Sequence, residues 1–341
     1  MKILLFTDLH MCPRASIINK WGTKYPSRLE NCITSLNWVE RTAENHKCDY
    51  IINLGDFFDK PDLSSETITA CNDIEWSNIM HYSLVGNHDA SISNLVFNSV
   101  NVLAQNNHRI ITEPEMIILD DCDICFLPYV TECDRKPLNE YFQKRVGKRS
   151  RIILSHNDIS GIQMGPVVSK TGFSIEEIEA NCDLFLNGHL HNGQAITPKV
   201  INLGNLTGKD FGEDALKYKH GVTVLDTDTM ALEFIENPYA YNFYKIQIDC
   251  EKDILTLDHL KNQAVVSIKC DQALAEKVKQ KINTLENILE SRIILIQKYE
   301  ETGENINLDL SVDHLTRFIE CCKANMEVSS FLEEELSEVC K

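Results

Sequence analysis

The chain has 341 residues, 43% of them apolar, and a formal net charge of −18. That length and apolar content suit one large globular domain with a smaller one beside it and exclude a disordered chain. The acidic balance excludes a surface that coats nucleic acid by general attraction, though not an enzyme whose metal ions meet phosphate.

Lys2 to Phe6 opens the chain as a short apolar run, read as a first core strand over Ile3–Phe6. Asp8 and His10 follow where a secretory leader would stay apolar. No later run approaches the roughly 18 apolar residues of a membrane span. An amphipathic helix carries Leu29, Ile33, Leu36 and Val39 on one side, and apolar runs then recur at Tyr50–Leu54, Tyr82–Val85, Cys125–Leu127, Ile152–Leu154 and Leu184–Leu186. Such near-continuous runs read as strands covered on both faces. Ser174 and Glu177 have the spacing of a capping box ahead of a short helix. This alternation predicts an α/β layered sandwich.

Hairpin patterns follow at Val222–Leu225 and Ala231–Ile235, and Asn237-Pro238 reads as a boundary. A smaller unit then shows strands near Tyr244–Ile248 and Val265–Ile268, a helix with Leu274, Val278, Ile282, Leu285 and Leu289, and a strand at Ile293–Ile296. Beyond Gly303, amphipathic helices around Leu315–Cys322 and Phe331–Val339 close the chain. The predicted domains are therefore 1–240, 241–300 and 301–341.

The thirteen cysteines are scattered, mostly in apolar patterns, which suits reduced buried thiols and a cytoplasmic setting. Cys122-x-x-Cys125 has no second pair and sits in a strand-like run, so it reads as two core thiols rather than half a zinc site.

Five strand-like runs end in metal-ligand residue types: Asp8-Leu9-His10, Gly55-Asp56, Gly86-Asn87-His88-Asp89, His156, and Gly188-His189-Leu190-His191. In open α/β sheets, ligands bind beyond the carboxyl ends of strands, so these five loops can converge on one crevice. Carboxylate, amide oxygen and imidazole without thiolate suit manganese, iron or zinc, with magnesium less favoured. Asp8, His10, Asp56, Asn87, His156, His189 and His191 make seven candidate ligands, which is more economical for two metals than for one, with Asp56 a natural bridge.

In this order the motifs resemble those of the calcineurin-like metallophosphoesterase family: D-x-H, G-D, G-N-H-D/E, H and G-H-x-H. The resemblance covers about residues 1–215 and implies a four-layer α/β/β/α sandwich holding two metal ions. One metal would take Asp8, His10 and His191, the other Asn87, His156 and His189, with Asp56 bridging. His88 would be the catalytic histidine near the scissile phosphate, protonating the leaving oxygen or stabilising developing charge. Asp89 would hold the His88 imidazole, and water whose pKa the metals lower would be the nucleophile.

Gly204-Asn205-Leu206 followed by Phe211-Gly212-Glu213, and the strand–helix–strand tail, are similar to SbcD-type DNA repair nucleases in their phage-type proportions. That likeness implies a manganese-dependent DNA exonuclease and endonuclease serving recombination and repair. It also implies a homodimer, a DNA-capping unit at 241–300, and an SMC-like ABC ATPase partner (SbcC-like) held by the C-terminal helices. A departure stands at Asp59, where many such nucleases have a histidine that contacts phosphate. Candidate DNA contacts are Asp59, Lys20 and Trp21 in the loop 20–25, and the basic run Lys144, Arg145, Lys148 and Arg149. A phosphatase or small-nucleotide phosphodiesterase and a non-catalytic binding scaffold are the alternative readings.

Overall fold

The computed structural model describes residues 1–91, 94–104, 107–118, 122–143, 149–164 and 167–296. Two six-stranded sheets lie face to face, each built around parallel strands. In the first, Lys2–Phe6, Tyr50–Asn53, Met80–Leu84 and His108–Ile111 run parallel, and the hairpin Gly221–Asp226/Ala231–Glu236 adds antiparallel to Lys2–Phe6. In the second, Cys122–Leu127, Ser150–Ser155, Leu184–Asn187 and Val200–Asn202 run parallel, with Glu115–Ile118 and Gln194–Ala195 antiparallel at its edges.

Period-two alternation assigns each strand side chain to one of two cores. Ile3 and Leu5 meet Ile152, Leu154 and Leu186 between the sheets, while Leu4 and Phe6 turn outward. The outward face is covered by helix Ser27–Asn45, whose Leu29, Cys32, Leu36, Val39 and Ala43 recur at helical spacing and are wholly buried. Each such large side chain contributes about 1.5–3 kcal/mol of burial. Helix Ile175–Asn181 covers the outer face of the second sheet, completing a four-layer α/β/β/α sandwich. Its Ser174 cap accepts from the Glu177 amide at 3.2 Å, but the Glu177 carboxylate accepts from the Leu138 amide at 2.6 Å. Only half of the expected capping box therefore forms. Cys122 packs between the sheets and Cys125 in the outer core, so the pair cannot converge on one ion.

Met1–Ile296 is one compact unit. Within it, Asn242–Ile248, Ala264–Asp271 and Ile288–Ile296 form a small parallel sheet with its own core. The helix expected through Leu289 ends at Ile282, where the Asn283 amide bonds the Lys279 carbonyl. Leu289 belongs to the last strand instead. A second apolar cluster, Ala15, Ile18, Phe211, Tyr241, Phe243 and Val265, joins this sheet to the loop after His10. The helices expected in 301–341 lie outside the described residues. No helix among the described residues is long and apolar enough to cross a membrane.

Behind the first sheet lies a buried polar group away from the ligand loops. His81 Nε2 is 2.9 Å from Glu40 Oε1, and His108 Nε2 is 2.9 Å from Ser83 Oγ, with the two rings stacked. Burial, with His81 beside it, pushes His108 down from 6.5 to about 3. The folded chain therefore keeps this imidazole neutral while the unfolded chain protonates it below about pH 6.5. Stability is unaffected above that pH and is lost as pH falls toward the folded value. Between about pH 7 and 4.5 the parent chain should lose roughly 2–3 kcal/mol more than His108→Gln in urea unfolding. Equal losses would show that His108 is not a source of acid sensitivity.

Candidate metal centre

The ligand-type residues stand just beyond the carboxyl ends of five strands. Asp8 and His10 follow Lys2–Phe6, Asp56 follows Tyr50–Asn53, and Asn87 and His88 follow Met80–Leu84. His156 follows Ser150–Ser155, and His189 and His191 follow Leu184–Asn187. The strands are parallel neighbours within each sheet, so these ends share one edge of the sandwich.

The local backbone is unusual. Asp8, His10, Asp56 and His189 have φ of 51°, 46°, 51° and 74°. Side-chain-bearing residues rarely adopt this left-handed region, at a cost of order 1–3 kcal/mol each. Hydrogen bonds between loops hold it: Asp8 N donates to Gly55 O at 3.1 Å and His10 N to Asp56 O at 3.0 Å. The glycines of two motifs follow from close approach. A Cβ at Gly55 would lie 2.4 Å from His156 Nδ1, and one at Gly86 would lie 2.1 Å from Asp56 Oδ1.

Two groups of donor atoms that share no residue result, and a third, His10, Asp56 and His88, links them. Asp8, His10 and His191 form one, and Asp56, His156 and His189 form the other, with the ligand atoms of each within 4.8 Å of one another. In the first, His10 Nε2 is 2.9 Å from His191 Nε2 and 3.8 Å from Asp8 Oδ1. In the second, Asn87 Oδ1 lies 3.3 Å from His156 Nε2 and 3.0 Å from His189 Nδ1. Asp56 Oδ2 is 3.2 Å from His156 Nε2 and 3.6 Å from His10 Nε2, so one oxygen faces both groups.

Each imidazole is oriented through its other nitrogen. His156 Nδ1 is 2.8 Å from Leu54 O, His189 Nε2 is 3.1 Å from Asp158 Oδ1, and His191 Nδ1 is 2.7 Å from Glu213 Oε1. His10 Nδ1 is 3.5 Å from Asp59 Oδ1. Four acceptors thus hold a proton on the outer nitrogens and turn four lone pairs inward, as metal-binding histidines require. Lys209 Nζ is also 3.4 Å from His10 Nδ1. With that nitrogen protonated, Lys209 acts through Asp59, 2.5 Å away.

Asp8 supplies a direct test of fit. Its Oδ2 accepts from Thr7 Oγ1 at 2.6 Å and His189 N at 3.0 Å, while its buried Oδ1 has no hydrogen-bond partner among the described residues. A buried carboxylate oxygen left this way is costly unless a cation meets it. The converging lone pairs of His10 and His191 point to the same need. These residues fit two divalent cations.

The electrostatics agree. Burial opposes ionisation of Asp56, but His156, His10 and His88 outweigh it and hold its carboxyl below the ordinary range. Burial equally opposes a charge on His156, yet Asp56, Asp8 and Asp89 raise its pKa. The cleft therefore favours added positive charge, which divalent ions would carry.

His88 is held at two points. Its amide donates to Asp56 Oδ1 at 2.9 Å, and its Nδ1 is 3.0 Å from the Asp59 carbonyl. Asp89 does not have the expected role of holding that ring. Its two oxygens accept from the amides of Phe58 and Gly86, each at 2.9 Å, and so brace the two ligand loops against each other. Burial, then repulsion from Asp56, pushes Asp89 up to about 7.

The expected substrate contacts are redistributed. Asp59 does face the site, but its carboxylate is shared by His10 and Lys209. Lys20 Nζ is 2.8 Å from Glu290 and 3.2 Å from Leu289 O, so it ties a loop rather than presenting a charge. Trp21 stays 70% exposed. Arg149 pairs with Asp123 at 3.1 Å, beside Arg151. Lys144, Arg145 and Lys148 lie outside the described residues.

Sequence reasoning missed Asp158, Lys209, the role of Glu213, and Arg28. Asp158 lies two positions beyond His156, a signal that was available. Arg28 is fully buried and donates to Leu9 O at 2.8 Å and Gly208 O at 2.9 Å, clamping the first ligand loop to the segment bearing Lys209 and Glu213. Distance in the chain hid the partnerships of Lys209, Glu213 and Arg28. Glu213→Gln should weaken metal binding by about 10–100-fold, because the His191 proton loses its anionic acceptor. Metal titration by calorimetry measures it, and an unchanged affinity would deny Glu213 any role in setting His191.

Comparison with known proteins sets this geometry in context. No curated protein sequence matches the chain. A dimetal phosphatase from zebrafish (Danio rerio) is 12% identical, with 65% of this chain and 91% of that one covered and a TM-score of 0.41. The calcineurin-like phosphoesterase YfkN from Bacillus subtilis is 13% identical, with 69% and 88% covered and a TM-score of 0.36. Vacuolar Protein Sorting 29 from Cryptosporidium parvum is 15% identical, with 69% and 95% covered and a TM-score of 0.27. The decisive match is to the sequence pattern described as calcineurin-like phosphoesterase, which spans residues 1–193, the stretch that carries all seven candidate ligands. The chain belongs to the calcineurin-like phosphoesterase family.

Proposed function

We propose that this chain is a two-metal DNA nuclease, an exonuclease and endonuclease that hydrolyses phosphodiester bonds as the catalytic subunit of a recombination and repair complex. Manganese is the preferred ion on the mixed imidazole, amide and carboxylate donor set. Bound divalent ions supply Lewis-acid activation of water and of phosphate oxygens. The protein's own residues do the rest. Asp56 orders both ligand groups and, through its second oxygen, the His88 amide. His88, fixed by the Asp59 carbonyl at Nδ1, presents Nε2 to the leaving oxygen as proton donor or charge stabiliser.

The observation that carries the nuclease reading is the fusion of the small sheet to the loop after His10. Ala15 and Ile18 pack with Phe243 and Val265, and Lys20 reaches Glu290. The small unit over residues 242–296, beyond the family match, thus buttresses one wall beside the metal centre, an elaboration that a small diester would not need. A homodimer and an SMC-like ABC ATPase gripped by residues 301–341 belong to the same proposal, as does a cytoplasmic setting. The acidity of the chain and the Asp59 carboxylate at the cleft favour a phosphatase or small-nucleotide phosphodiesterase as second reading.

The deciding experiment incubates the full chain and manganese with end-labelled linear duplex DNA, beside bis(p-nitrophenyl) phosphate, with His88→Asn as control. Shortening of DNA that disappears in the variant supports the nuclease. Turnover of the small diester with DNA left whole at high enzyme concentration supports the second reading.

A further inference from the structure

A cavity of about 280 Å³ begins at Asp59 and runs past Met11 and Lys60 to Ser64. A second, of about 580 Å³, continues from Pro13, Arg14 and Ser64 to Asn19 and Trp21. The two share Pro13, Arg14 and Ser64, so they form one groove leading away from the metal centre. Its inner end is Asp59, whose carbonyl fixes His88.

Three side chains along it have no structural role in the fold. Arg14 and Lys60 are exposed, and neither forms an ion pair with a described residue. Trp21, at the outer end, is 70% exposed, although its loop is tightly tied. Ser27 N donates to Lys20 O at 3.0 Å, Gly22 N to Tyr25 O at 2.8 Å, and Lys20 Nζ is 2.8 Å from Glu290. An indole left bare on a pinned loop is a preorganised stacking face, because little further ordering is required when a flat ring meets it.

The charge of the groove limits what it can do. Asp59 is neutralised by Lys209, but Asp62 and Glu66 also line the walls. The cations and the remaining carboxylates balance, so the groove exerts no long-range pull on a polyanion. It would act by direct contact.

We propose that this groove seats a single DNA strand leaving the metal centre, with phosphates on Arg14 and Lys60 and a base stacked on Trp21. The proposal rests on the nuclease reading and adds a positive requirement for an unpaired strand. Cations along a groove combined with an aromatic platform is how strands are held without sequence preference.

The test uses the full chain with metal chelated, so that no cleavage interferes, and a fluorescein-labelled oligothymidylate of roughly 12 nucleotides as probe. Anisotropy should show Trp21→Ala binding about tenfold more weakly, with Trp21→Phe restoring most of the affinity because a ring remains. Arg14→Ala with Lys60→Ala should reduce the slope of log affinity against log salt by about 0.7 for each phosphate contact removed. All these side chains are exposed, so thermal melting should be unchanged. If the parent chain cleaves DNA but every variant binds the strand as the parent does, with the same salt slope, the groove proposal is overturned and the nuclease reading stands. If the parent chain neither binds the strand nor cleaves DNA, both fall.

Discussion

His88→Asn is expected to hydrolyse phosphodiesters about 10²–10⁴-fold more slowly while still binding two divalent ions. The physical reason is the separation of its attachments from the ligand set. The His88 amide and Nδ1 are bound to Asp56 Oδ1 and the Asp59 carbonyl, which leaves Nε2 free to face substrate. Asparagine keeps the backbone bond to Asp56 and a donor toward Asp59, so the ligand loops should hold their geometry. What disappears is an imidazole able to pass a proton or stabilise a developing negative charge. Turnover of bis(p-nitrophenyl) phosphate, with metal content from atomic emission on the same sample, separates the two roles. His88 does meet His10 and Asp56 in a third cluster of donor atoms. If the variant lost one ion per chain, His88 would be a ligand and the assignment of acid or charge stabiliser would be wrong.

Asp56→Asn should have the other large effect, on metal binding rather than chemistry alone. Asp56 Oδ2 faces both imidazole groups, 3.2 Å from His156 Nε2 and 3.6 Å from His10 Nε2. Asparagine is nearly the same shape but carries no charge, so two ions would sit close together without the anion that screens their repulsion. Binding of at least one ion should weaken by more than the 10–100-fold typical of residues placed behind ligands. Activity should fall with it and recover only in part at high metal concentration. Calorimetric titration with manganese reads this directly. Two full-affinity sites in the variant would mean that Asp56 does not bridge.

These two residues were legible in the sequence for a common reason. Each candidate ligand stands two to five residues after an apolar run, and a parallel strand delivers whatever follows it to the same edge of the sheet. The alternation of Ile3, Leu4, Leu5 and Phe6 between two cores was implicit in the same pattern. Some short strands were not legible. His108–Ile111, Glu115–Ile118 and Val200–Asn202 are too brief and too mixed in polarity to show a period. The helix expected from Leu274 through Leu289 is shorter in the structure because Leu285 and Leu289 continue a helical spacing by chance, while tertiary pairing puts Leu289 in a strand.

The sequence alone determined which side chains would be offered to metal, since those depend on strand ends and on two glycines whose positions leave no room for a Cβ. The tertiary structure alone decided what stands behind them. Asp89 was expected to hold His88 because it is adjacent in sequence, yet consecutive residues on a turn point apart, and it is the Asp59 carbonyl that reaches the ring. Glu213 finds His191, Lys209 finds Asp59, and Lys20 finds Glu290, all across long stretches of chain. Such pairings are set by where the loops of two sheets meet. No local pattern encodes that meeting, because hydrogen bonds and ion pairs act over a few ångströms of space and are indifferent to distance along the chain.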